Sequence, residues 1–173
     1  MAYFSQLTQL DYKAFSGCTS LTSVIMPNSI KAMSRETFRG CTSLNSVVLS
    51  TSLTSISASC FHTCGFEHLE IPNNITTLTS EYAFGSNAKL KDVIFSANIT
   101  TIGSASFWGC SALVEMIFQG ATPPSLGSNN PLSQTSLNFP IYVPDESVSA
   151  YKEASSWSSY ANRVKPISER PAS

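Results

Sequence analysis

Residues 14–27 read AFSGCTSLTSVIMP, and the layout of this stretch returns every 23 residues along the chain. A phenylalanine marks each return without a slip, at Phe15, Phe38, Phe61, Phe84 and Phe107. A fixed period of this length is typical of a solenoid, in which one structural unit repeats and stacks on itself. We therefore expect the phenylalanines to lie in one stacked column inside the protein.

Cysteine recurs with the same period. It follows the phenylalanine by three residues at Cys18, Cys41, Cys64 and Cys110, and Asn87 takes this position in the remaining unit. Neighbouring coils would lie one strand spacing apart, about 4.8 Å, which is within the reach of a disulfide. However, the five cysteines are an odd number, and one position is Asn87. The pattern therefore predicts buried, unreactive thiols rather than a disulfide framework.

A short strand follows each cysteine. The first unit has apolar residues at Leu21, Val24 and Met26, and the last two show the alternation of a strand. A further apolar pair, Ile30 and Met33 in this unit, comes after the strand. Burying one large apolar side chain contributes roughly 1.5–3 kcal/mol, but a unit of this size cannot bury its apolar face alone. Stacking buries that face between neighbouring units.

The quoted stretch and its second copy, FRGCTSL at residues 38–44, resemble the BspA-like leucine-rich repeat family. The resemblance covers about residues 7–121, as five units. It implies a leucine-rich-repeat solenoid, an α/β superhelix rich in strands, with right-handed coils and a parallel sheet on the concave side. It also implies a bacterial protein, exported or attached to the cell surface, that binds host or neighbouring macromolecules. The sequence departs from the family pattern at Asn87, and at Ser50 and Ser96, where proline is usual.

The chain has 173 residues, which suits one structural domain. We expect the solenoid over residues 1–121, a capping segment over residues 122–167 and a loose tail over residues 168–173. The capping segment should begin with a loop, rich in Gly, Asn, Pro and Ser, that runs to about Pro140. This organisation predicts that the last coil is covered by residues that do not follow the repeat.

A strand and a helix are expected in the capping segment. Ile141–Val143 is the strand, which resembles the closing segment of such bacterial proteins, and Asp145 or Ser147 would cap the helix. The helix should cover the end of the core with an apolar stripe, although its aromatic residues could instead bind a sugar. The stripe consists of Val148, Tyr151, Trp157, Tyr160, Ala161 and Val164.

Composition excludes two classes of partner. Charged residues make up 12% of the chain, the formal net charge is −1, and no basic stripe is present for nucleic acid. No apolar run approaches the roughly 18 residues of a membrane span. Met1–Phe4 lack the layout of a signal peptide, and Tyr3 and Phe4 are similar to the end of an earlier coil. We therefore expect further sequence upstream, with self-association at the uncapped N-terminal end as an open alternative.

The densest metal-like cluster is Cys60, His62, Cys64 and His68. Zinc would need these four side chains to converge tetrahedrally. The repeat places them on different faces, because Cys64 is a column position, His62 fills a variable and exposed position, and His68 points outward from a strand. No Ser-His-Asp set and no glycine-rich phosphate loop can be assembled. We therefore expect no metal, no cofactor and no catalytic residue.

Asn74 and Asn98 each begin an Asn-Ile-Thr sequon. Both occupy the same position of the repeat, in the turn that follows a strand. Side chains at such a turn commonly satisfy backbone groups that would otherwise lack a hydrogen-bond partner. We therefore expect the two asparagines to hold the turns rather than to carry a glycan.

The outward strand positions form two rows that define the candidate binding face. An apolar strip that faces solvent often marks an interface, although β-branched residues also suit a pleated surface that binds nothing. The first row is Ile25, Val48, Glu70, Ile94 and Ile117, and the second is Ser23, Ser46, His68, Asp92 and Glu115. Our candidate binding residues are Ile25, Val48, His68, Glu70, Asp92, Ile94, Glu115 and Ile117.

The sequence thus predicts a non-catalytic bacterial binding module, at the cell surface or secreted. Its concave sheet would be presented to a protein or glycan partner in adhesion or host interaction. The alternative is a structural spacer, or a stacking segment of a larger surface adhesin. A binder should lose its partner when the apolar row is changed, whereas a spacer should not.

Overall fold

The computed structural model describes residues 7–79, 81–136 and 138–172. Thirteen short strands occur in the described part of the chain, and the helical segments all follow the twelfth. The strands are β1 (Gln9–Leu10), β2 (Ser23–Ile25), β3 (Ala32–Met33), β4 (Ser46–Val48), β5 (Ser55–Ile56), β6 (His68–Ile71), β7 (Thr77–Leu78), β8 (Asp92–Phe95), β9 (Thr101–Ile102), β10 (Glu115–Phe118), β11 (Ser125–Leu126), β12 (Ile141–Val143) and β13 (Val164–Pro166). The helical segments are the 3₁₀ helix Asp145–Ser147, helix α1 (Val148–Glu153), and the 3₁₀ helices Ser155–Arg163 and Ile167–Glu169.

The strands stack along one axis into two parallel ribbons, which confirms the leucine-rich-repeat solenoid. One ribbon contains β2 and β4, followed by β6, β8, β10, β12 and β13. The other contains β1 and β3 and, after an interruption between β3 and β5, strands β5, β7, β9 and β11. The register joins equivalent repeat positions, so that Val93 lies between Leu69 and Met116. We call the outward surface of the first ribbon the concave face.

The first ribbon is interrupted between β4 and β6, where the sequence predicts a continuous sheet. The segment from Cys64 to Phe66 is one residue shorter than its counterparts in the other coils. The Gly65 N–H consequently donates to the Leu44 carbonyl, at 2.9 Å. A Cβ at Gly65 would lie only 2.6 Å from the Thr42 carbonyl oxygen. Glycine therefore permits the close approach through which the shortened coil still stacks.

The phenylalanines form the predicted column. Successive ring centroids lie 5.2, 5.4, 5.3 and 5.7 Å apart, and the ring planes are within 8° of parallel. All the rings are buried except Phe15, which is 40% exposed because it is the first ring of the column. Offset stacking of this kind contributes about 0.5–1.5 kcal/mol per pair beyond the area buried. The column therefore supports the register along the whole solenoid.

The cysteine position is a hydrogen-bond donor position. The Sγ atoms of Cys64 and Cys110 donate to the phenylalanine carbonyl of the preceding coil, at 3.2 and 3.3 Å. Asn87 performs the same task, because its Nδ2 donates to the Phe61 carbonyl at 2.9 Å. Its Oδ1 also accepts the Cys64 N–H, at 2.9 Å. Asparagine therefore replaces cysteine without leaving the backbone unpaired.

The thiols are largely as predicted. All five cysteines are free, and Cys41, Cys60, Cys64 and Cys110 are buried. Burial raises the pKa of Cys64 and of Cys110 to about 12, so these two remain protonated and unreactive. Cys18 differs, because it lies in the first coil and is exposed.

Residues 122–136 and 138–140 do not form the predicted loop but belong to a sixth coil. Strand β11 pairs with β9, and the Phe107 N–H donates to the Pro131 carbonyl at 2.9 Å. Leu132 takes the phenylalanine position, which is why the period is not visible in the sequence here. The Leu132 N–H donates to Asn130 Oδ1, at 2.8 Å. A donor that would otherwise point at a missing seventh coil is thus satisfied within the turn.

The capping segment closes this end of the core. The Tyr151 hydroxyl donates to the Gly120 carbonyl at 2.9 Å, and the Trp157 Nε1–H donates to the Pro124 carbonyl at 2.8 Å. Tyr151, Trp157 and Tyr160 are buried, as the sequence predicts. The predicted stripe ends early, however, because Val164 lies in β13. Neither predicted helix cap is present, since no side-chain hydrogen bond caps the helical segments that follow Pro144 and Ser147.

The expected loose tail is instead folded back. The Ser168 N–H donates to Asp145 Oδ1, at 3.1 Å. Arg170 then makes two hydrogen bonds with Glu115, at 2.6 and 3.0 Å. A long-range ion pair of this kind leaves no trace in local sequence pattern, which explains the difference.

Each of the first five coils contains two left-handed backbone positions that the sequence did not reveal. They lie two residues before and two residues after the phenylalanine, with φ values between 51° and 76°. The cost of this conformation is roughly 1–2 kcal/mol for residues other than glycine. The positions are Lys13, Glu36, Ser59, Tyr82 and Ala105 before the ring, and Gly17, Gly40, Thr63, Ser86 and Gly109 after it.

Exchange of residues at two equivalent left-handed positions tests this cost. Ser86→Gly should raise the free energy of unfolding by about 0.5–1 kcal/mol, because the relief of strain exceeds the entropy lost by glycine. Gly40→Ser should lower it by a similar amount. A Cβ at Gly40 would meet nothing nearer than the Gly17 backbone at 3.7 Å, so steric overlap does not contribute. Urea denaturation would measure both changes, and equal signs for the two variants would contradict the assignment.

Ser50 and Ser96 occupy the same repeat position but differ in hydrogen bonding. Both are buried. Ser50 Oγ donates to the Ile30 carbonyl at 2.6 Å, whereas Ser96 Oγ has no partner among the described residues. Ser50→Ala should therefore lower the free energy of unfolding by about 1–2 kcal/mol, and Ser96→Ala should leave it unchanged or raise it by up to about 1 kcal/mol. Thermal and urea unfolding of the two variants would show this contrast, and equal destabilisation would refute it.

Candidate binding face

The structure places all eight candidate residues at outward strand positions. The pairing of β6, β8 and β10 joins His68 to Asp92 and Glu115, and joins Glu70 to Ile94 and Ile117. Strands β2 and β4 align Ser23 with Ser46 and Ile25 with Val48. Because the ribbon is interrupted between β4 and β6, the two rows form an N-terminal part on two strands and a longer C-terminal part.

The N-terminal part exposes apolar side chains. Ile25 is 79% exposed and Val48 is 54% exposed, and Ser23 and Ser46 beside them are exposed as well. We call Ile25 and Val48 the apolar patch. Side chains of this size gain free energy when a partner removes them from water, so the patch has the chemistry of an interface.

A hollow adjoins the apolar patch at the open end of the solenoid. Its volume is about 410 Å³, and apolar residues line it. Leu7 and Phe15 at its rim are 42% and 40% exposed. The expectation that Tyr3 and Phe4 end an earlier coil lies outside the described residues. The hollow contains the inward positions of the first coil, Leu10, Val24, Met26 and Ile30.

The middle of the face is polar and internally paired. His68 Nδ1 lies 2.5 Å from Asp92 Oδ2, and Lys91 Nζ lies 2.8 Å from Glu67 Oε2. The hydrogen bond from Lys91 lowers the pKa of Glu67. Exposed pairs contribute little to stability, so these charges are free to rearrange around a partner. Glu70 is exposed and has no ion-pair partner among the described residues.

The C-terminal part of the face is covered, contrary to the sequence prediction. Ile117 should face solvent but is only 7% exposed, and Ile94 is half-buried. Tyr142, which continues the same row on β12, is 5% exposed. The side chain of Glu115 is 19% exposed where it pairs with Arg170. At this end of the face, the folded-back C-terminal segment places Arg170 on the Glu115 carboxylate, beside outward side chains that are shielded from solvent.

The four residues of the metal-like cluster do not converge. Cys60 and Cys64 are buried, and their thiols donate to the carbonyls of Ser34 and Phe38. His68 points outward to Asp92. In the part of the chain that the structure describes, no group of three or more His, Cys, Asp or Glu side chains could hold a metal ion.

An aromatic cluster on the flank of the solenoid was not predicted. His62, Tyr82 and Trp108 make two edge-to-face contacts, with ring centroids 6.0 Å apart in each. His62 is consequently half-buried rather than exposed, and burial lowers its pKa. A Cβ at Gly85 would lie 3.0 Å from the His62 ring, so glycine leaves space for the cluster. The sequence signal for this cluster was weak. It consisted of large side chains at His62 and Trp108, which share a repeat position that varies between coils.

The asparagines of the two sequons hold turns, as predicted. Asn74 Nδ2 donates to the carbonyls of Ser50 and Leu53, at 3.0 and 2.7 Å. Asn98 Nδ2 donates to the Asn73 carbonyl, at 3.0 Å. Both side chains thereby tie one coil to the preceding coil.

Solved structures of bacterial leucine-rich repeat proteins resemble this chain. A leucine-rich cell surface protein from Faecalibacterium prausnitzii A2-165 has 28% identity and a TM-score of 0.62, over 65% of this chain and 30% of that one. A leucine-rich repeat protein from T. pallidum has 25% identity and a TM-score of 0.60, over 78% and 67% of the two chains. A third, from Bacteroides ovatus, shares the fold at 18% identity with a TM-score of 0.50. The chain thus spans less than a third of the F. prausnitzii protein.

Three further observations concern membrane-spanning helices, similar curated proteins and the family of the chain. Among the described residues, no helix combines the length and the apolar character that crossing a bilayer requires. Among curated proteins, none matches this chain. The family model for the BspA type leucine-rich repeat region matches residues 8–129 in six copies, one more than the sequence predicts and in agreement with the sixth coil. This protein therefore belongs to the BspA-type leucine-rich repeat family.

Proposed function

We propose that this protein is a non-catalytic binding module of the bacterial cell surface, and that its concave face binds a protein or glycan partner. The observation that carries the proposal is the exposure of Ile25 and Val48 at 79% and 54%. Neighbouring apolar residues of this kind are a usual mark of an interaction site. The similar F. prausnitzii chain is itself a cell surface protein, which supports the location.

The surroundings of the apolar patch suit a binding site. A shallow depression lined by Asn45, Glu67 and His68 lies at the interruption of the sheet, between the starts of β4 and β6. Interfaces commonly combine an apolar centre with a polar rim that remains accessible to water. The patch would thus supply most of the binding free energy, and the polar depression would select the partner.

A stacking segment of a larger adhesin is the second candidate function. It is favoured by the N-terminal end of the solenoid, where Phe15 is 40% exposed and no described residue fills the hollow of about 410 Å³. Another coil of the same repeat, from this or another chain, would fill that hollow and extend the phenylalanine column. Self-association at this end is one form of the same proposal, in which the second copy presents a donor edge rather than the same end.

Substitution of the apolar patch distinguishes the two functions. The double variant Ile25→Asp and Val48→Asp should lose at least about tenfold in affinity, because charged groups replace two side chains worth roughly 1.5–3 kcal/mol each when buried. Binding would be measured on a panel of immobilised glycans and on intact bacterial and mammalian cells. Circular dichroism would verify that the variant is folded.

Val114→Asp is the matched control, since Val114 is a similarly exposed valine, at 60%, in the coil that contains β10. It should bind as the unchanged protein does. Retained binding by the folded double variant would refute the role of the patch. Binding lost equally by the control would show that any added charge is harmful, and would refute it too.

A further inference from the structure

The C-terminal segment lies on the concave face in the manner of a bound peptide. After β13, the 3₁₀ helix Ile167–Glu169 turns the chain, and Arg170 reaches Glu115 at the start of β10. The Arg170 Nη2 lies 2.6 Å from Glu115 Oε1, and its Nε lies 3.0 Å from Oε2. Two parallel hydrogen bonds of this kind match the planar fork of a guanidinium and do not suit a lysine.

A second anchor holds the other end of the segment. The Ser168 N–H donates to Asp145 Oδ1, at 3.1 Å, and hydrogen bonding from the Ser168 side chain, with a smaller contribution from this N–H, lowers the pKa of Asp145. Asp145 directly follows the Pro144 that ends β12, whereas Glu115 begins β10. The two anchors therefore lie at opposite ends of the strands, and the segment spans the face between them.

Burial differs sharply between covered and uncovered outward positions. Ile117 and Tyr142 are 7% and 5% exposed, but Ile25 and Val48 at equivalent positions are 79% and 54% exposed. Asp92 and Tyr142 also lie close enough to Arg170 to act on its charge. The long aliphatic stem of arginine can cover apolar surface while its head pairs with a carboxylate. The Arg170 guanidinium is thus held on an acid that borders two outward apolar side chains, both shielded from solvent.

The segment is attached through few contacts of its own. Ile167 is 37% exposed, and Ser168, Glu169, Pro171 and Ala172 are exposed as well. A segment with little buried apolar surface belongs to the least stable part of a protein and opens without global unfolding. Its hold on the face therefore depends on the two anchors, of which the Arg170 contact is the one with two hydrogen bonds.

We propose that Glu115, Ile117 and Tyr142 form a docking site for arginine-bearing peptide segments, which the protein's own C-terminal segment occupies as an internal competitor. The Glu115 carboxylate would bind the guanidinium, and Ile117 and Tyr142 would pack against its stem. An incoming segment would present a backbone N–H to Asp145. The site is separate from the apolar patch at Ile25 and Val48, so it does not depend on the function proposed for that patch.

A synthetic peptide copying residues 166–172, acetyl-PISERPA-amide, tests the proposal in the 173-residue chain. A tethered competitor acts at an effective concentration in the millimolar range, so the unchanged protein should bind the peptide weakly. Arg170→Ala removes the anchor of the competitor, and its affinity for the peptide should be at least about tenfold higher. Nuclear magnetic resonance would follow the Ile117 methyl and Tyr142 ring signals during the titration.

Three controls make every outcome decisive. The same peptide with alanine in place of arginine should not bind, and equal binding would overturn the arginine requirement. Glu115→Gln added to Arg170→Ala should abolish binding, whereas Glu146→Gln, at an exposed acid outside the site, should not. Binding that persists without Glu115 would place the peptide elsewhere. Ile117 and Tyr142 signals that remain unchanged in a folded Arg170→Ala variant, with no peptide bound, would refute the proposal.

Discussion

Hydrogen bonding between equivalent backbone positions of successive coils is the constraint on which the rest of the structure depends. The N–H groups of Phe38, Phe61 and Phe84 each donate to a carbonyl of the following coil, at 2.9, 2.9 and 2.8 Å. Because this ladder fixes the register, side chains at one repeat position are stacked above each other along the axis. Each core residue must therefore fit the coil before it and the coil after it, and this requirement keeps the period of 23 residues regular.

Structural features that recur in each coil could be predicted from the sequence, whereas features that occur only once in the chain were missed. The phenylalanine column and the outward rows recur in each of the first five coils, so their signal is reinforced five times. The sixth coil was missed because Leu132 replaces phenylalanine there. The folding back of the C-terminal segment was missed because it involves a contact between Glu115 and Arg170, which lie 55 residues apart. Such a contact is not indicated by any local periodicity. Stacking between neighbouring units, in contrast, is predicted by the repeat period.

Each repeat position requires a particular hydrogen bond or backbone conformation more strictly than it requires a particular residue type. Asn87 takes a cysteine position because both side chains donate to a carbonyl of the preceding coil. Ser50 and Ser96 share a position, but only Ser50 finds an acceptor. The same logic applies to backbone conformation, since Ser86 adopts the left-handed form that glycine adopts at Gly40. A departure from the pattern therefore either lowers the local stability, as at Ser86 and Ser96, or replaces the lost interaction, as at Asn87. Neither kind of departure weakens the assignment of the fold.

The two ends of the solenoid differ in a way that bears on function. The C-terminal end is closed, because Asn130 satisfies the last turn and β13 ends the sheet with Lys165 and Pro166, residues that discourage further pairing. At the N-terminal end, no described residue donates to the Ala14 or Ser16 carbonyls, whose counterparts in later coils accept ladder hydrogen bonds. If two copies met through this end, the carbonyl acceptors of one copy would face the carbonyl acceptors of the other. Only a coil whose backbone N–H groups face this end can extend the hydrogen-bond ladder of the phenylalanine turn. A further coil can therefore stack here in one orientation only.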